Sequence, residues 1–357
     1  MQRILCLIDS LGSGGAERQL TGLAVLLKRH GYEVEVWYYE KKEFYLPYLQ
    51  ENNVISRFLP DATDPRVRFF SLRKHIKTYK PDTIISYSDP TNMITCMLKR
   101  LGARYQLAVS ERCSIQIIRK RTKFKFFTYR WSDYIIPNSY SQKKFIDKYF
   151  PELSNKVVVI TNFVDTNKFS PSVVPTSVNK ETNMICVGRI TEQKNILNFI
   201  DAIGNVIRDG YQMKVDWYGQ DFGDSYVVEC YKKIKENNLE KVFVFNTPYP
   251  NIQEKYRESD VFCLPSIFEG FPNVLCEAMS CGLPVLCSNV CDNPDIVDDT
   301  QNGYLFDPLN VDNMVATIER FLDLPQEEKE RMGKRSREIA LEMFAEEAFI
   351  EKYIRLL

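Results

Sequence analysis

Histidine is nearly absent from this chain: of 357 residues, only His30 and His75 carry an imidazole. His30 ends an apolar helical segment in LLKRHGYE, where it reads as a C-terminal cap. His75 stands among Arg73, Lys74 and Lys77 and reads as exposed. Ten cysteines form no CxxC pair and sit mostly in apolar runs, such as Cys186 in MICVG and Cys263 in VFCLP. That placement excludes a disulfide framework and fits buried, reduced thiols of a cytosolic protein. No D-x-D occurs, so a carboxylate-bound Mg²⁺ is not indicated. No apolar run approaches the roughly 20 residues of a membrane helix. The opening MQRILCLIDS is too short a stretch for a signal peptide and is interrupted by Asp9. There is no short-period repeat and no low-complexity tract.

Net charge is also missing, since 47 basic residues cancel 47 acidic ones. The cancellation hides an asymmetry. Residues 1–170 hold 28 Lys and Arg against 16 Asp and Glu, and residues 171–357 hold 19 against 31. The halves therefore carry +12 and −12. The first could meet an anionic surface and the second could not.

What is present is alternation. Apolar runs at Ile4–Ile8, Val34–Tyr39, Thr83–Tyr87, Leu107–Ser110, Tyr134–Pro137 and Val157–Ile160 are separated by helical patterns at Ala16–Arg29, Thr91–Leu101 and Gln142–Phe150. A polar stretch with Pro171 and Pro175 follows. The pattern then restarts, with strands at Met184–Val187, Lys214–Tyr218, Val242–Phe245, Val261–Leu264 and Leu283–Leu286. Helices fill Ile196–Asp209, Tyr226–Asn237, Ile252–Glu258, Asn273–Ser280, Val311–Leu322 and about Gln326–Leu356. Strands apolar along their whole length, alternating with helices, imply α/β domains with buried parallel sheets. The length suits two of them. Doubly wound sheets bind ligands at the carboxyl ends of their strands, so the cleft between the domains is the expected site.

Three loops carry chemistry. Gly12-Ser13-Gly14-Gly15 follows the first strand and opens a helix, which suits close approach of an anion to free amides. A dinucleotide fingerprint fails because Glu17 stands where its third glycine belongs, and no Walker A lysine follows. A flexible strand-to-helix turn is the alternative. In the second half, Glu269 lies on a loop after a strand and Glu277 lies inside the next helix, which Pro272 opens. Two carboxylates flanking a helix N-terminus suit a nucleotide sugar, whose phosphates meet amides and whose hydroxyls meet carboxylates. The alternative is that Glu269 caps the helix and Glu277 is solvated. Arg189 leaves a strand end and Lys194 starts the next helix. Two cations converging there call for an anion such as a diphosphate, unless Glu192 offsets an exposed pair.

Together, GSGGAER (12–18), NSYSQKKF (138–145), NFVDTNKFSP (162–171), VGRITEQKN (187–195), EGFPNVLCEAMSCGLPV (269–285), DNPDIV (292–297) and NGYLFDP (302–308) resemble the retaining glycosyltransferases of family 4. The resemblance spans nearly the whole chain. It implies the GT-B fold, two Rossmann-like doubly wound domains facing across a cleft. The boundaries would be an acceptor-binding domain over 1–165, a linker over 166–180, a nucleotide-sugar domain over 181–340 and a terminal helix over 341–357 crossing back to the first domain. Arg189, Lys194 and Glu269 would be catalytic. Gly14, Gly15, Gly188, Gly270, Phe271, Asn273, Val274, Leu275 and Glu277 would contact the donor. Many family members place a histidine near the reacting sugar; here Ser110-Glu111-Arg112-Cys113 stands after the corresponding strand, so Glu111 and Arg112 would orient acceptor or donor sugar.

The implied activity is transfer of a hexose or N-acetylhexosamine from a nucleoside-diphosphate sugar, UDP by preference, to a glycan or lipid-linked acceptor, with retention and with no metal or other cofactor. A nucleotide-sugar epimerase of the same fold and a non-catalytic nucleotide-sugar-binding protein are the alternatives. Six cations between Arg119 and Trp131 interleave with Phe124, Phe126, Phe127, Tyr129 and Trp131. Such a segment suits anionic lipid on the inner face of the plasma membrane, or else a domain helix with its aromatics inside. Nucleic acid is the weaker partner, for want of a known binding module.

Overall fold

The computed structural model describes residues 2–112, 118–172 and 181–357. The linker read over 166–180 falls outside the described residues from 173 onward, and so does Cys113. The chain divides into two units, residues 1–162 with 347–357, and residues 163–346.

The first unit runs β1 (Arg3–Leu7), α1 (Gly15–Arg29), β2 (Glu33–Tyr38), α2 (Leu46–Glu51), β3 (Ile55–Phe58), α3 (Arg68–Tyr79), β4 (Thr83–Tyr87), α4 (Asp89–Arg100), β5 (Gln106–Glu111), α5 (Lys120–Tyr129), β6 (Tyr134–Pro137) and α6 (Tyr140–Tyr149). The second runs β7 (Thr182–Val187), α7 (Ile196–Arg208), β8 (Met213–Tyr218), α8 (Ser225–Glu236), β9 (Phe243–Asn246), α9 (Ile252–Arg257), β10 (Val261–Leu264), α10 (Asn273–Ser280), β11 (Val285–Ser288), α11 (Asn293–Ile296), β12 (Gly303–Phe306), α12 (Val311–Leu322) and α13 (Gln326–Phe344). A last helix, α14 (Glu346–Ile354), lies almost wholly in the returning segment of the first unit.

Among the described residues each unit holds one six-stranded sheet, ordered β3-β2-β1-β4-β5-β6 and β12-β11-β10-β7-β8-β9. All the recorded ladders are parallel. Counted from its own first strand, each sheet has the order 3-2-1-4-5-6 of the Rossmann fold. The order reverses between β1 and β4 in one unit, and between β7 and β10 in the other. In doubly wound sheets ligands generally bind beside such reversals.

Alternation of side chains builds the second unit's core. Met184, Cys186, Val261 and Cys263 face one apolar cluster with α7, α8 and α12. Ile185, Phe262 and Leu264 face another with α10 and α13. Period two along strands buried on both faces explains why these runs are apolar throughout. Every described cysteine is free, and all but Cys291 are buried.

Two sequence readings change, and two further features carried no sequence signal. Val157–Ile160 is not a ladder strand; a 3-10 turn over Pro151–Lys156 precedes it, and Val157 makes an isolated bridge to Ile135. The edge strand β3 has no apolar run because it alternates exposed and half-buried residues. The stop of α3 is hidden, since Lys80 rather than glycine adopts the left-handed conformation there (φ 55°). The single helix read over Gln326–Leu356 breaks at Ala345, whose ψ of 151° is extended.

The basic aromatic segment forms α5, which buries one face. Phe126 stacks on Phe150 with ring centroids 4.3 Å apart, and Tyr129 is fully buried. Phe124 and Phe127 remain 54% and 45% exposed. Lys125, counted among the six cations, is buried. Phe126→Ala should therefore destabilise the chain by about 3–5 kcal/mol, whereas Phe124→Ala should stay within about 0.5 kcal/mol. Urea unfolding of the full chain checks this; equal costs at both positions would refute the two-faced helix.

Candidate active site

The second unit's site grows from the loops that follow β7 and β10. After β7 the chain passes Gly188 and Arg189 into a 3-10 turn, Glu192–Lys194; Asn195 (φ 57°) then starts α7 and donates its side-chain amide to the Pro308 carbonyl at 2.6 Å. Lys194 thus closes a turn before the helix rather than opening the helix itself. Its stem lies against Gly188, where a Cβ would stand 2.8 Å from Lys194 Cε. Gly219 is needed in turn, because a Cβ there would stand 1.8 Å from the Gly188 carbonyl oxygen. Trp217 Nε1 donates to that same oxygen at 2.8 Å.

Lys194 Nζ donates to Glu269 Oε1 at 2.6 Å, with the two side chains 12% and 10% exposed. Two groups assigned separate tasks from sequence are therefore one ion pair. The Glu269 loop is held by three hydrogen bonds to two residues, Gln193 and Cys291. Ile267 donates its amide to the Gln193 carbonyl at 2.9 Å, and Gln193 Nε2 returns a bond to the Phe268 carbonyl at 2.9 Å. The Glu269 amide donates to Cys291 Sγ at 3.4 Å, with Cys291 held at a φ of 52°. Gln193 and Cys291 had no role in the sequence reading. Neither residue type signals one, because their parts depend on loops separated by about 75 and 22 positions.

Other donor candidates divide. Glu277 is buried on α10, and Val274 and Asn273 are half-buried in its first turn. The helix begins at Asn273, with Pro272 just outside it. The Leu275 amide is already taken by the Pro272 carbonyl at 3.0 Å, and Leu275 is wholly buried. Phe271 lies in the core, edge-on to Phe344 at 5.8 Å. Gly270 is half-buried beside Glu269. Arg189 is exposed and makes no ion pair among the described residues.

In the first unit, Gly14 caps α1 and Gly15 begins it. Glu17 folds back over this turn, and a Cβ on Gly14 would stand 2.3 Å from Glu17 Oε2. Ser10 Oγ lies 3.3 Å from Glu17 Oε1. A carboxylate thus occupies the helix start where the sequence reading put phosphate, and it gains from the same positive potential. His30 caps α1 through the Leu26 carbonyl, and His75 pairs with Asp61 at 2.9 Å.

Glu111 ends β5 and Arg112 follows it, and most of the polar atoms of both are already engaged. Glu111 is 1% exposed; Lys125 Nζ donates to one oxygen at 2.6 Å and the Tyr129 hydroxyl to the other. Burial pushes the Glu111 carboxyl above its ordinary range, against the pull of Lys125. Burial alone would depress Lys125, yet Glu111 and Asp89 outweigh it and hold the ammonium above the usual lysine value. Arg112 is bound by four side chains, described below.

Residues 172–339 match the family model for Glycosyl transferases group 1, and residues 13–168 match Glycosyltransferase Family 4. The chain belongs to this glycosyltransferase family. It is 27% identical over 314 residues to the amylovoran biosynthesis glycosyltransferase AmsD of Erwinia amylovora, spanning 86% of each. It is 28% identical over 323 residues to a Campylobacter jejuni GalNAc-alpha-(1->4)-GalNAc-alpha-(1->3)-diNAcBac-PP-undecaprenol alpha-1,4-N-acetyl-D-galactosaminyltransferase, spanning 85% of this chain and 84% of that protein. Anabaena Alr3699/HepE, solved with UDP and glucose, superposes with a TM-score of 0.84 at 18% identity, over 99% of both chains. At that identity the likeness is one of fold, and this glycosyltransferase has the two Rossmann-like domains of GT-B.

The Lys125–Glu111 pair sets a stability expectation for the glycosyltransferase. Lys125→Met should cost about 3–5 kcal/mol by leaving a buried carboxylate uncompensated, and Lys125→Met with Glu111→Leu should recover much of it. Thermal or urea unfolding decides; a single mutant as stable as the parent would show that the pair is solvated.

Proposed function

We propose that this enzyme transfers a hexose or N-acetylhexosamine from a UDP-sugar to a glycan or lipid-linked acceptor of cell-surface polysaccharide synthesis, with retention at the anomeric carbon. The observation that carries the reading is the Lys194–Glu269 pair at the reversal of the second sheet, with Arg189 exposed beside it on the same loop. The relatives' names agree: one is an amylovoran biosynthesis enzyme and another an alpha-specific transferase acting on a diphosphoundecaprenol-linked glycan.

In the reaction, the bond from the anomeric carbon to the diphosphate oxygen breaks and a bond to the acceptor oxygen forms on the same face. The acceptor's proton passes to the departing diphosphate oxygen. No detached base is required. The protein's task is to position both substrates and stabilise charge growing on the diphosphate. An ammonium has three N–H donors, so Lys194 can keep Glu269 and still bind a phosphate oxygen. Arg189 adds a forked donor. Glu269 then accepts hydroxyls of the donor sugar, and Glu277 those of the ribose. This scheme asks no cation of the enzyme beyond these side chains. An epimerase reading is separated by UDP release, which transfer requires acceptor to produce.

Access to a lipid-linked acceptor fits the exposed Phe124 and Phe127 of α5, surrounded by the exposed Arg119, Lys120, Arg121, Lys123 and Arg130. No helix among the described residues is long and apolar enough to cross a membrane. Contact through α5 would be peripheral, on an anionic cytoplasmic leaflet.

Lys194→Ala and Arg189→Ala should each lower turnover on the order of 10²-fold or more, through lost transition-state electrostatics. Unchanged single-turnover rates in both would refute the assignment. Glu277→Ala should weaken UDP binding in calorimetry, and equal affinity would remove the ribose role. Anionic liposomes should sediment the protein at low salt and release it at high salt; failure to sediment at low salt rejects the membrane contact.

A further inference from the structure

Arg112 follows the carboxyl end of β5 and is half-buried. Its Nε donates to Ser110 Oγ at 2.7 Å and Nη1 to Asn162 Oδ1 at 2.6 Å. Nη2 donates to the hydroxyls of Tyr87 and, at 2.9 Å, Tyr353. Those two hydroxyls lie 2.8 Å apart, and the Tyr87 ring faces the guanidinium at 4.4 Å. All four partners are at least nine-tenths buried. Four of the five guanidinium N–H groups are thereby used, leaving little with which to hold a sugar.

The partners come from telling places. Ser110 and Tyr87 belong to neighbouring strands of the first sheet. Asn162 is the last residue before the chain leaves the first unit, and Tyr353 sits on the segment that returns to it at Glu347. The whole second unit, residues 163–346, is inserted between those two partners. One side chain therefore ties both junctions to the end of β5. A second polar network braces it from behind, since Asn92 Nδ2 donates to the Ser110 carbonyl at 2.9 Å and to the Tyr129 hydroxyl, which in turn binds Glu111.

We infer that Arg112 is a positioning residue for glycosyl transfer, a clasp that holds both chain junctions on the first unit, and not a ligand of either sugar. Positioning matters because a misplacement of about 1 Å can cost about 10²-fold in rate. The guanidinium suits this task better than an ammonium, whose donors lack the planar fork that reaches separate acceptors. The rate arm of the test rests on the transfer activity proposed above; the exchange arm does not.

The test compares Arg112→Ala with the parent enzyme, and Tyr353→Phe serves as the milder variant should the first fail to fold. Amide hydrogen exchange over residues 347–357 should accelerate about tenfold or more, because the returning helix loses its tether. The UDP-induced thermal shift should be unchanged, and kcat should fall about tenfold or more with donor and acceptor KM within about twofold. Unchanged exchange at 347–357 would overturn the clasp, even if no acceptor yet supports turnover. A raised KM for either substrate at unchanged kcat would return Arg112 to sugar binding, and faster exchange with unchanged kcat would leave it a structural tether only. Either result ends the inference.

Discussion

A carboxylate withdrawn from water must find donors, and both units of this protein meet that demand in the same way. Lys194 holds Glu269 at 2.6 Å in the second unit, and Lys125 holds Glu111 at 2.6 Å in the first. Each acid lies at or just beyond the carboxyl end of a parallel strand, where amides are freed and a sheet opens to solvent. Much of the local architecture follows from keeping these pairs in place. Gly188 leaves room for the lysine stem, Gly219 leaves room for Gly188, and Gln193 with Cys291 fixes the acid's own loop.

The two pairs do different work because their surroundings differ. Lys125 and Glu111 are closed in by Tyr129 and Asp89, so their charges are spent within the fold. The Lys194–Glu269 pair keeps some exposure and has on its own loop an exposed arginine that makes no ion pair among the described residues. A pair with spare donors and spare lone pairs can accept a ligand that brings both phosphate and hydroxyl groups. A sealed pair can only support its neighbours, and Glu111 does so for Tyr129, whose hydroxyl also meets Asn92.

The general plan of the fold was legible in the residues. Thr83–Tyr87 and Val261–Leu264 read as strands because both faces of each are covered, which demands unbroken apolarity. That Gly188, Lys194 and Glu269 lie on loops at strand ends was legible too, because that placement is written in adjacent residues. Elements stabilised by their neighbours were not legible. The edge strand β3 takes its form from β2, and the stop of α3 falls on a lysine. The turn at Ala345 separates two segments whose helical spacing is continuous in sequence.

Side-chain pairing lay further out of reach. Nothing in Lys125 distinguishes it from the other cations of its segment, which remain at the surface; it is buried because that turn of α5 faces Glu111 and Asp89. Glu17 reads as an acid that excludes a dinucleotide fingerprint, and only the folded turn shows its carboxylate over Gly14. The sequence by itself determined the class of the fold, the buried strands and the helices between them, and the loops at strand ends where Lys194 and Glu269 stand, because each depends on local spacing. The tertiary structure alone decided which charges are spent internally and which remain for a ligand, because burial and the geometry of a partner tens of residues away are properties of packing.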